Sequence, residues 1–287
     1  LGKSMIVLYD DDFNTYNHIR DNSFLDENSS FSVRTLRTLS EDYTLNKDYN
    51  SVAGVMEMDN WLETRNNVTL FNFTLSKGEY TIKADDLKEF RNKNEWRSAY
   101  FTLAVMTPVW DRSLLDIAAV PVIINGNGAT IKLTENSASD DYHFAYVPNY
   151  GSLTLINMTL VGFNSAILNY GTFTAINCTF KDNIMHHKIK NGDYGGAIRN
   201  FGNVYCYDSI FKDNGANKGG AYYSLGKSAN GVFYNCQFSG NVIKSNWVWN
   251  NNKKNDFGIE DLSIVRLVNC KGYSSATINT ENGGLYM

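Results

Sequence analysis

The stretch Ala166-Ile167-Leu168-Asn169-Tyr170-Gly171, followed by Ala175-Ile176-Asn177-Cys178-Thr179-Phe180-Lys181-Asp182-Asn183, decides the fold because both of its blocks come back. The first returns as Ala197-Ile198-Arg199-Asn200-Phe201-Gly202 and Ala221-Tyr222-Tyr223-Ser224, and it aligns further on with Gly258-Ile259-Glu260-Asp261 and Ala276-Thr277-Ile278-Asn279. The second is preceded by Leu155-Ile156-Asn157-Met158-Thr159-Leu160 and returns as Cys206-Tyr207-Asp208-Ser209-Ile210-Phe211, Phe233-Tyr234-Asn235-Cys236-Gln237-Phe238 and Leu267-Val268-Asn269-Cys270. From the first residue of one block to the Cys or Ser of the other is 12 positions in three repeats (178−166, 209−197, 270−258) and 15 in a fourth (236−221). Successive Met, Cys or Ser positions are instead 20, 31, 27 and 34 apart (178−158, 209−178, 236−209, 270−236), so length varies in a single connection. Short alternating strands joined by tight turns, with one variable loop, are what stacked coils require, because each coil buries its apolar face only against its neighbours.

The pattern predicts a mainly β protein whose residues 121–287 form a right-handed parallel β-helix, a solenoid whose first regular coil begins near Val122. Stacking at about 4.8 Å per strand puts Met158, Cys178, Ser209, Cys236 and Cys270 in one inward column. The four cysteines then read as packing residues. Cys178 and Cys236, about 9 to 10 Å apart across an intervening coil, lie beyond disulfide reach, whereas Cys236 and Cys270 on neighbouring coils lie within it. The turn Phe180-Lys181-Asp182-Asn183 matches Phe211-Lys212-Asp213-Asn214 and Phe238-Ser239-Gly240-Asn241, so Asn183, Asn214 and Asn241 are expected to stack as an amide ladder.

Residues 1–120 lack this period. Val68-Thr69-Leu70 and Tyr80-Thr81-Ile82 read as strands around the turn Ser76-Lys77-Gly78-Glu79, and Asp85-Asp86-Leu87-Lys88-Glu89-Phe90 reads as the start of a helix. An open coil end exposes unpaired backbone, and a cap of mixed α/β structure is the expected remedy. A chain of 287 residues with 43% hydrophobic and 14% aromatic content and only 3 prolines has ample material for a β-rich core. A net charge of −4 without a basic stripe gives no electrostatic reason to bind nucleic acid. No apolar run is long enough for a membrane-spanning helix. Leu1 opens the chain with no basic and apolar leader after it, so any signal peptide is expected to have been removed already. Asn-x-Ser/Thr sequons begin at Asn28, Asn67, Asn72, Asn157 and Asn177.

The stretch Ile124-Asn125-Gly126-Asn127-Gly128-Ala129-Thr130-Ile131, together with Ile176-Asn177-Cys178-Thr179-Phe180 and Gly195-Gly196-Ala197-Ile198-Arg199-Asn200, resembles the adhesin-like β-helix proteins of methanogenic archaea, in the pectin-lyase-like superfamily. Chlamydial polymorphic membrane proteins share a similar Gly-Gly-Ala-Ile signature. The resemblance covers residues 121–287 and specifies an architecture rather than a chemistry. It implies secretion, display at the cell surface and a role in attachment.

Carbohydrate-active enzymes commonly occupy such scaffolds, which makes a polysaccharide lyase or glycoside hydrolase the enzymatic alternative. Asp182 and Asp213 fall in equivalent turns and would lie about 5 Å apart, the spacing of a retaining glycosidase pair, but the repeated Lys-Asp-Asn turn already accounts for both. The Asn-Thr-Asp, paired Asp-Asp, Gly-His-Gly and Arg-Ile-Lys signatures of polygalacturonases are missing. His186 and His187 sit in the insertion 184–194 without a third metal ligand. Asp10, Asp12 and Asn14 begin like a calcium loop that lacks its glycine and its bidentate glutamate. No metal and no cofactor are implied. Trp247 and Trp249, two apart in the insertion 242–256, would face one side of an extended loop as a flat platform for a sugar ring or a protein partner. The two insertions are expected at one corner, two coils or about 10 Å apart. The sequence therefore reads as a noncatalytic extracellular adhesin-like protein that binds a surface glycan or a protein through Trp247, Trp249, His186 and His187. Structural assembly end to end, through coil edges, is a further alternative.

Overall fold

The computed structural model describes residues 43–45, 70–87, 111–116, 121–135, 141–185, 194–243, 253–274 and 277–287. Among them the strands form a parallel β-helix with a thirteen-stranded sheet, a seven-stranded sheet and a small two-stranded sheet at one corner. One turn of the helix shows the plan. The strand Asn203–Tyr207 and, past a corner at Asp208, Ile210–Lys212 belong to the first sheet, Gly215–Ala216 to the corner sheet and Tyr222–Leu225 to the second. Each of these pairs in parallel with its counterpart one coil on: Asn203 with Asn230, Ile210 with Gln237, Gly215 with Val242 and Tyr222 with Phe257. A strand returning to the same sheet by a crossover connection takes the right-handed course.

Alternation decides what lies inside. Leu153, Phe173 and Val204 stack in one inward column, and Leu155, Ala175, Cys206, Phe233 and Leu267 in the next. Past the corner, Leu160, Phe180, Phe211 and Phe238 are in register, and the last three rings lie face to face at 5.0 and 5.1 Å with an interplanar angle of 8° in each pair. All are buried in one core that runs the length of the described helix. Met158, Cys178, Ser209, Cys236 and Cys270 occupy equivalent places beside them, since Thr159, Thr179, Ile210, Gln237 and Lys271, the residues that follow, pair in series. All four cysteines are free. Burial pushes the Cys178 thiol up to about 12, so it serves as an apolar filler.

The corners are built from residues in the left-handed region. Asn127, Asn157, Asn177, Asp208, Asn235 and Asn269 all have φ between 49° and 60°, a conformation that Asn and Asp adopt more readily than other side chains. Some of their amides bond along the axis: Asn235 Nδ2 donates to Asp208 Oδ1 at 2.6 Å, and Asn269 Nδ2 donates to Asn235 Oδ1 at 2.6 Å. The next corner carries Asp182, Asp213 and Gly240 at φ 54°, 56° and 67°. Gly272 continues it at φ 86°, where a β-carbon would meet the Phe238 carbonyl oxygen at 1.9 Å.

Immediately after that corner, Asn183, Asn214 and Asn241 turn inward and are fully buried. Asn214 Oδ1 accepts from Asn183 N and Nδ2 at 3.1 and 3.0 Å, and Asn241 Oδ1 accepts from Asn214 N and Nδ2 at 3.1 and 2.9 Å. The second proton of each amide goes to a carbonyl on the coil before: Asn183 to Leu160, Asn214 to Phe180 and Asn241 to Phe211. The series ends on Asp256, whose Oδ1 accepts from Asn241 Nδ2 at 2.8 Å. A second buried pair stands at another corner, where Asn169 Nδ2 donates to Asn200 Oδ1 at 2.7 Å and Asn200 Nδ2 to the Tyr222 hydroxyl at 2.8 Å.

Two features depart from the sequence reading. The pairing starts before residue 121: Phe71–Leu75 and Glu79–Lys83 pair with the two halves of Val122–Thr134, and Tyr43–Leu45 with Phe71–Leu75. Residues 84–87 are helical, and most of the expected N-terminal cap lies outside the described residues, as do Asp10, Asp12 and Asn14. The alignment of Gly258 with Ala221 is also corrected, because Asp256 is the residue that follows Ala221 in the stack. The slip is two residues. A two-residue shift preserves which side chains face inward, so the apolar pattern does not reveal it. In the last coil Thr277 follows Asp256, since Ile278 pairs with Phe257, so that alignment is off by one residue in the other direction.

Replacing Asn214 by Ala removes the acceptor of two buried donors on Asn183 and one of the two donors to Asn241 Oδ1, at about 1–3 kcal/mol per unsatisfied group. Asn214→Ala is expected to lower the urea midpoint far more than Asn235→Ala, whose amide is partly exposed; equal shifts would remove the ladder from its place in the fold. Burial raises the Asp256 carboxyl above its ordinary value, against the lowering effect of its bonds from Thr277 and Asn241. The folded state thus binds that proton more tightly than the unfolded chain, and the carboxylate costs stability as pH rises past the ordinary value of 3.8. Asp256→Asn keeps the acceptor and removes the buried charge, so thermal unfolding at pH 7 is expected at an unchanged or higher temperature, with the difference vanishing toward pH 3.

Candidate functional site

Val161-Gly162, Lys181-Asp182 and Lys212-Asp213 bring each coil to the corner where its length varies. There Ile184 bridges Gly215, and Gly215 pairs with Val242, so the roots of the two insertions are stacked with one loop-free coil between them. On the return side Tyr194 bridges Lys218, and Asn255 N donates to Asn241 O at 2.9 Å. His186, His187, Trp247 and Trp249 belong to the insertions themselves and lie outside the described residues.

Asp182 and Asp213 serve the turn. Each sits in the left-handed region with its backbone N–H bonded to the next coil, Asp182 to Lys212 O at 3.1 Å and Asp213 to Ser239 O at 2.9 Å. Their carboxylates lie 3.6 and 4.0 Å from the amines of Lys181 and Lys212 at the surface. Among the described residues no group of three or more His, Cys, Asp or Glu side chains could hold a metal ion. No described helix is long and apolar enough to cross a membrane.

Chemistry-bearing side chains do gather on the outward face of the second sheet, next to the insertion corner. Ile198, Tyr222 and Phe257 face the core, and strand alternation turns Arg199 and Tyr223 outward. Tyr194, the first described residue after one insertion, stacks on Tyr223 with ring centroids 4.5 Å apart. The Tyr223 hydroxyl donates to Glu260 Oε2 at 2.7 Å, and Lys218 Nζ is ion-paired to Glu260 Oε1 and, at 3.3 Å, to Glu281 Oε2. Lys218 Nζ also stands 5.6 Å from the centre of the Tyr194 ring. Beside this group the Arg199 guanidinium lies 5.9 Å from the Tyr194 ring centre and 5.3 Å from that of Phe201, and Phe201 stacks on Tyr170 at 4.6 Å and 14°.

The protonation states limit what the cluster does. Hydrogen bonding to Glu260 raises the Lys218 amine above its ordinary value, so it stays a cation. Burial first, and the Glu260 carboxylate second, push the Tyr223 phenol far above its ordinary range, so it stays a donor. Neither group is a base near neutral pH. The arrangement offers aromatic rings, fixed donors and a guanidinium, which are the elements of recognition.

Part of this site was readable in the repeat. Arg199 and Tyr223 occupy the same place in Ala197-Ile198-Arg199-Asn200 and Ala221-Tyr222-Tyr223-Ser224, and Tyr170 and Phe201 the same place in Asn-Tyr-Gly and Asn-Phe-Gly. The slipped alignment set Glu260 opposite Tyr223, whereas in the structure Glu260 pairs with Leu225 and its side chain reaches back to the Tyr223 hydroxyl. Comparison with protein-family models, curated proteins and solved structures finds no match to the chain.

Glu260 is 8% exposed and carries two charge-assisted bonds, so Glu260→Ala is expected to cost about 2–4 kcal/mol in chemical unfolding. Tyr223→Phe should cost about 1 kcal/mol, and the double variant less than the two added together, by about 1 kcal/mol. Strict additivity would show that the Tyr223–Glu260 bond contributes nothing. The raised Lys218 value makes its contribution fully present below pH 10.5 and lost as pH climbs through the folded value.

Proposed function

We propose that the chain is a noncatalytic, extracellular module of adhesin-like type that works at the cell surface. It binds a glycan or a protein at the corner from which its insertions leave and on the second-sheet face beside that corner. It is related in this view to the adhesin-like β-helix proteins of methanogenic archaea within the pectin-lyase-like superfamily. The observation that carries the reading is the stacking of Ile184, Gly215 and Val242, which roots two length-variable segments on one side of a rigid solenoid. The face those segments return to bears Tyr170, Tyr194, Phe201 and Arg199. Surfaces of this composition hold ligands by stacking and by charge-assisted hydrogen bonds. Against a hydrolase or lyase stand the protonated states of Lys218 and Tyr223 and the turn roles of Asp182 and Asp213.

A glycan array probed with the purified chain and with a Trp247→Ala, Trp249→Ala double variant tests the proposal, with chromatography of any bound polysaccharide. Binding by the native chain, weakened at least tenfold in the variant and without cleavage products, is expected. Cleavage would establish the enzymatic alternative, and failure to bind any glycan or cell-surface protein would favour structural assembly.

A further inference from the structure

Of the two cations in this cluster, Lys218 is satisfied by Glu260 and Glu281. Arg199 has no carboxylate within ion-pair distance among the described residues, and its Nε is buried without a hydrogen-bond partner. Its guanidinium stands within cation–π distance of the Tyr194 and Phe201 rings, and its N–H donors are what it has to offer a ligand. Those donors match the paired oxygens of a carboxylate or a sulfate. The net charge of −4 means that an anion is not drawn here by the general field of the chain. It has to be met by this side chain.

We infer that Arg199, beside Tyr194 and Phe201, is the anchor of a subsite for an acidic saccharide, whose carboxylate or sulfate lies on the guanidinium edge and whose ring packs against the Tyr170–Phe201 pair. A peptide is the weaker candidate for this face. Strand addition needs free backbone groups, and here the strands Ile198–Asn200 and Tyr222–Leu225 are each paired on both sides. Recognition is therefore left to side chains, and rings beside a cation suit a pyranose carrying a negative group. The inference rests on the reading of the chain as a glycan binder and narrows it to a chemistry and a residue.

The test is calorimetric titration of the full chain with hyaluronan, which carries carboxylates, with dextran sulfate, and with unmodified dextran, at low and at physiological salt. Binding to at least one acidic polymer and not to dextran is expected, with a loss of tenfold or more in Arg199→Gln. Arg199→Lys retains the charge but loses the planar fork and is expected to recover only part of the affinity. Unfolding midpoints of both variants within a few degrees of the native chain exclude a folding defect, and a Phe201→Leu variant, which removes one ring and leaves the charge, should weaken binding as well. Equal binding of dextran, or full affinity in Arg199→Gln, overturns the subsite. If the Trp247→Ala, Trp249→Ala variant loses glycan binding while Arg199→Gln keeps it, the subsite fails and the wider proposal stands. If the native chain binds no saccharide at all, the subsite falls together with the glycan reading, and the wider proposal is left with a protein ligand.

Discussion

Every coil of this protein has the same partner problem. A parallel strand satisfies its amides only on the coil before and the coil after, so any polar group admitted to the interior must find its complement one rung away. The fold depends on that axial reciprocity. Asparagine meets it better than other side chains because one amide both donates and accepts, which lets Asn183, Asn214 and Asn241 pass hydrogen bonds along the axis with each proton used. The same logic places Asn200 between Asn169 and Tyr222. Where the neighbour is larger, the packing answers: Tyr222 brings its hydroxyl over Gly231, at which a β-carbon would lie 2.5 Å from it.

Apolar packing follows the same rule of like over like. Phe180, Phe211 and Phe238 form a stack of nearly parallel rings because the register leaves each directly above the last. Outside, Ile176 and Tyr207 pack with Ile156, Tyr205 and Tyr234 on the first sheet. The two outward faces differ in character. The first carries an aliphatic and tyrosine strip, and the second carries the ring, guanidinium and carboxylate cluster that suits a ligand.

The solenoid was legible because its period is written in residues with few alternatives. A Cys or Ser two residues before a Phe, an Asx residue at the first corner and an Asn after the second recur in three successive coils, at Cys178, Ser209 and Cys236. Asn157 and Asn177 were visible as members of the repeat, but their left-handed backbone was not, since nothing in one triplet states a backbone angle. The coils before residue 121 escaped notice because Ser76-Lys77-Gly78 makes its corner without the Asn-x-Thr signature. The slip at Asp256 had a different cause: the substitution of a carboxylate for an alanine removed the landmark, while alternation stayed intact on either side. Of the cluster on the second sheet, the outward positions could be read from the repeat, but their contacts across coils required the structure.

The bond from Asn241 to Asp256 joins the two ends of an insertion as well as ending the amide series. With the backbone bond from Asn255 to Asn241, it closes the segment at its base. Once the base is closed, the free energy of the loop depends on its length only logarithmically, and doubling the number of residues costs about 0.6 kcal/mol in chain entropy. That is less than the typical worth of one hydrogen bond, at about 1 kcal/mol. A lineage can therefore lengthen, shorten or rewrite this segment almost without thermodynamic consequence, and the coil beneath it acts as a fixed mount on which the loop sequence is free to diverge.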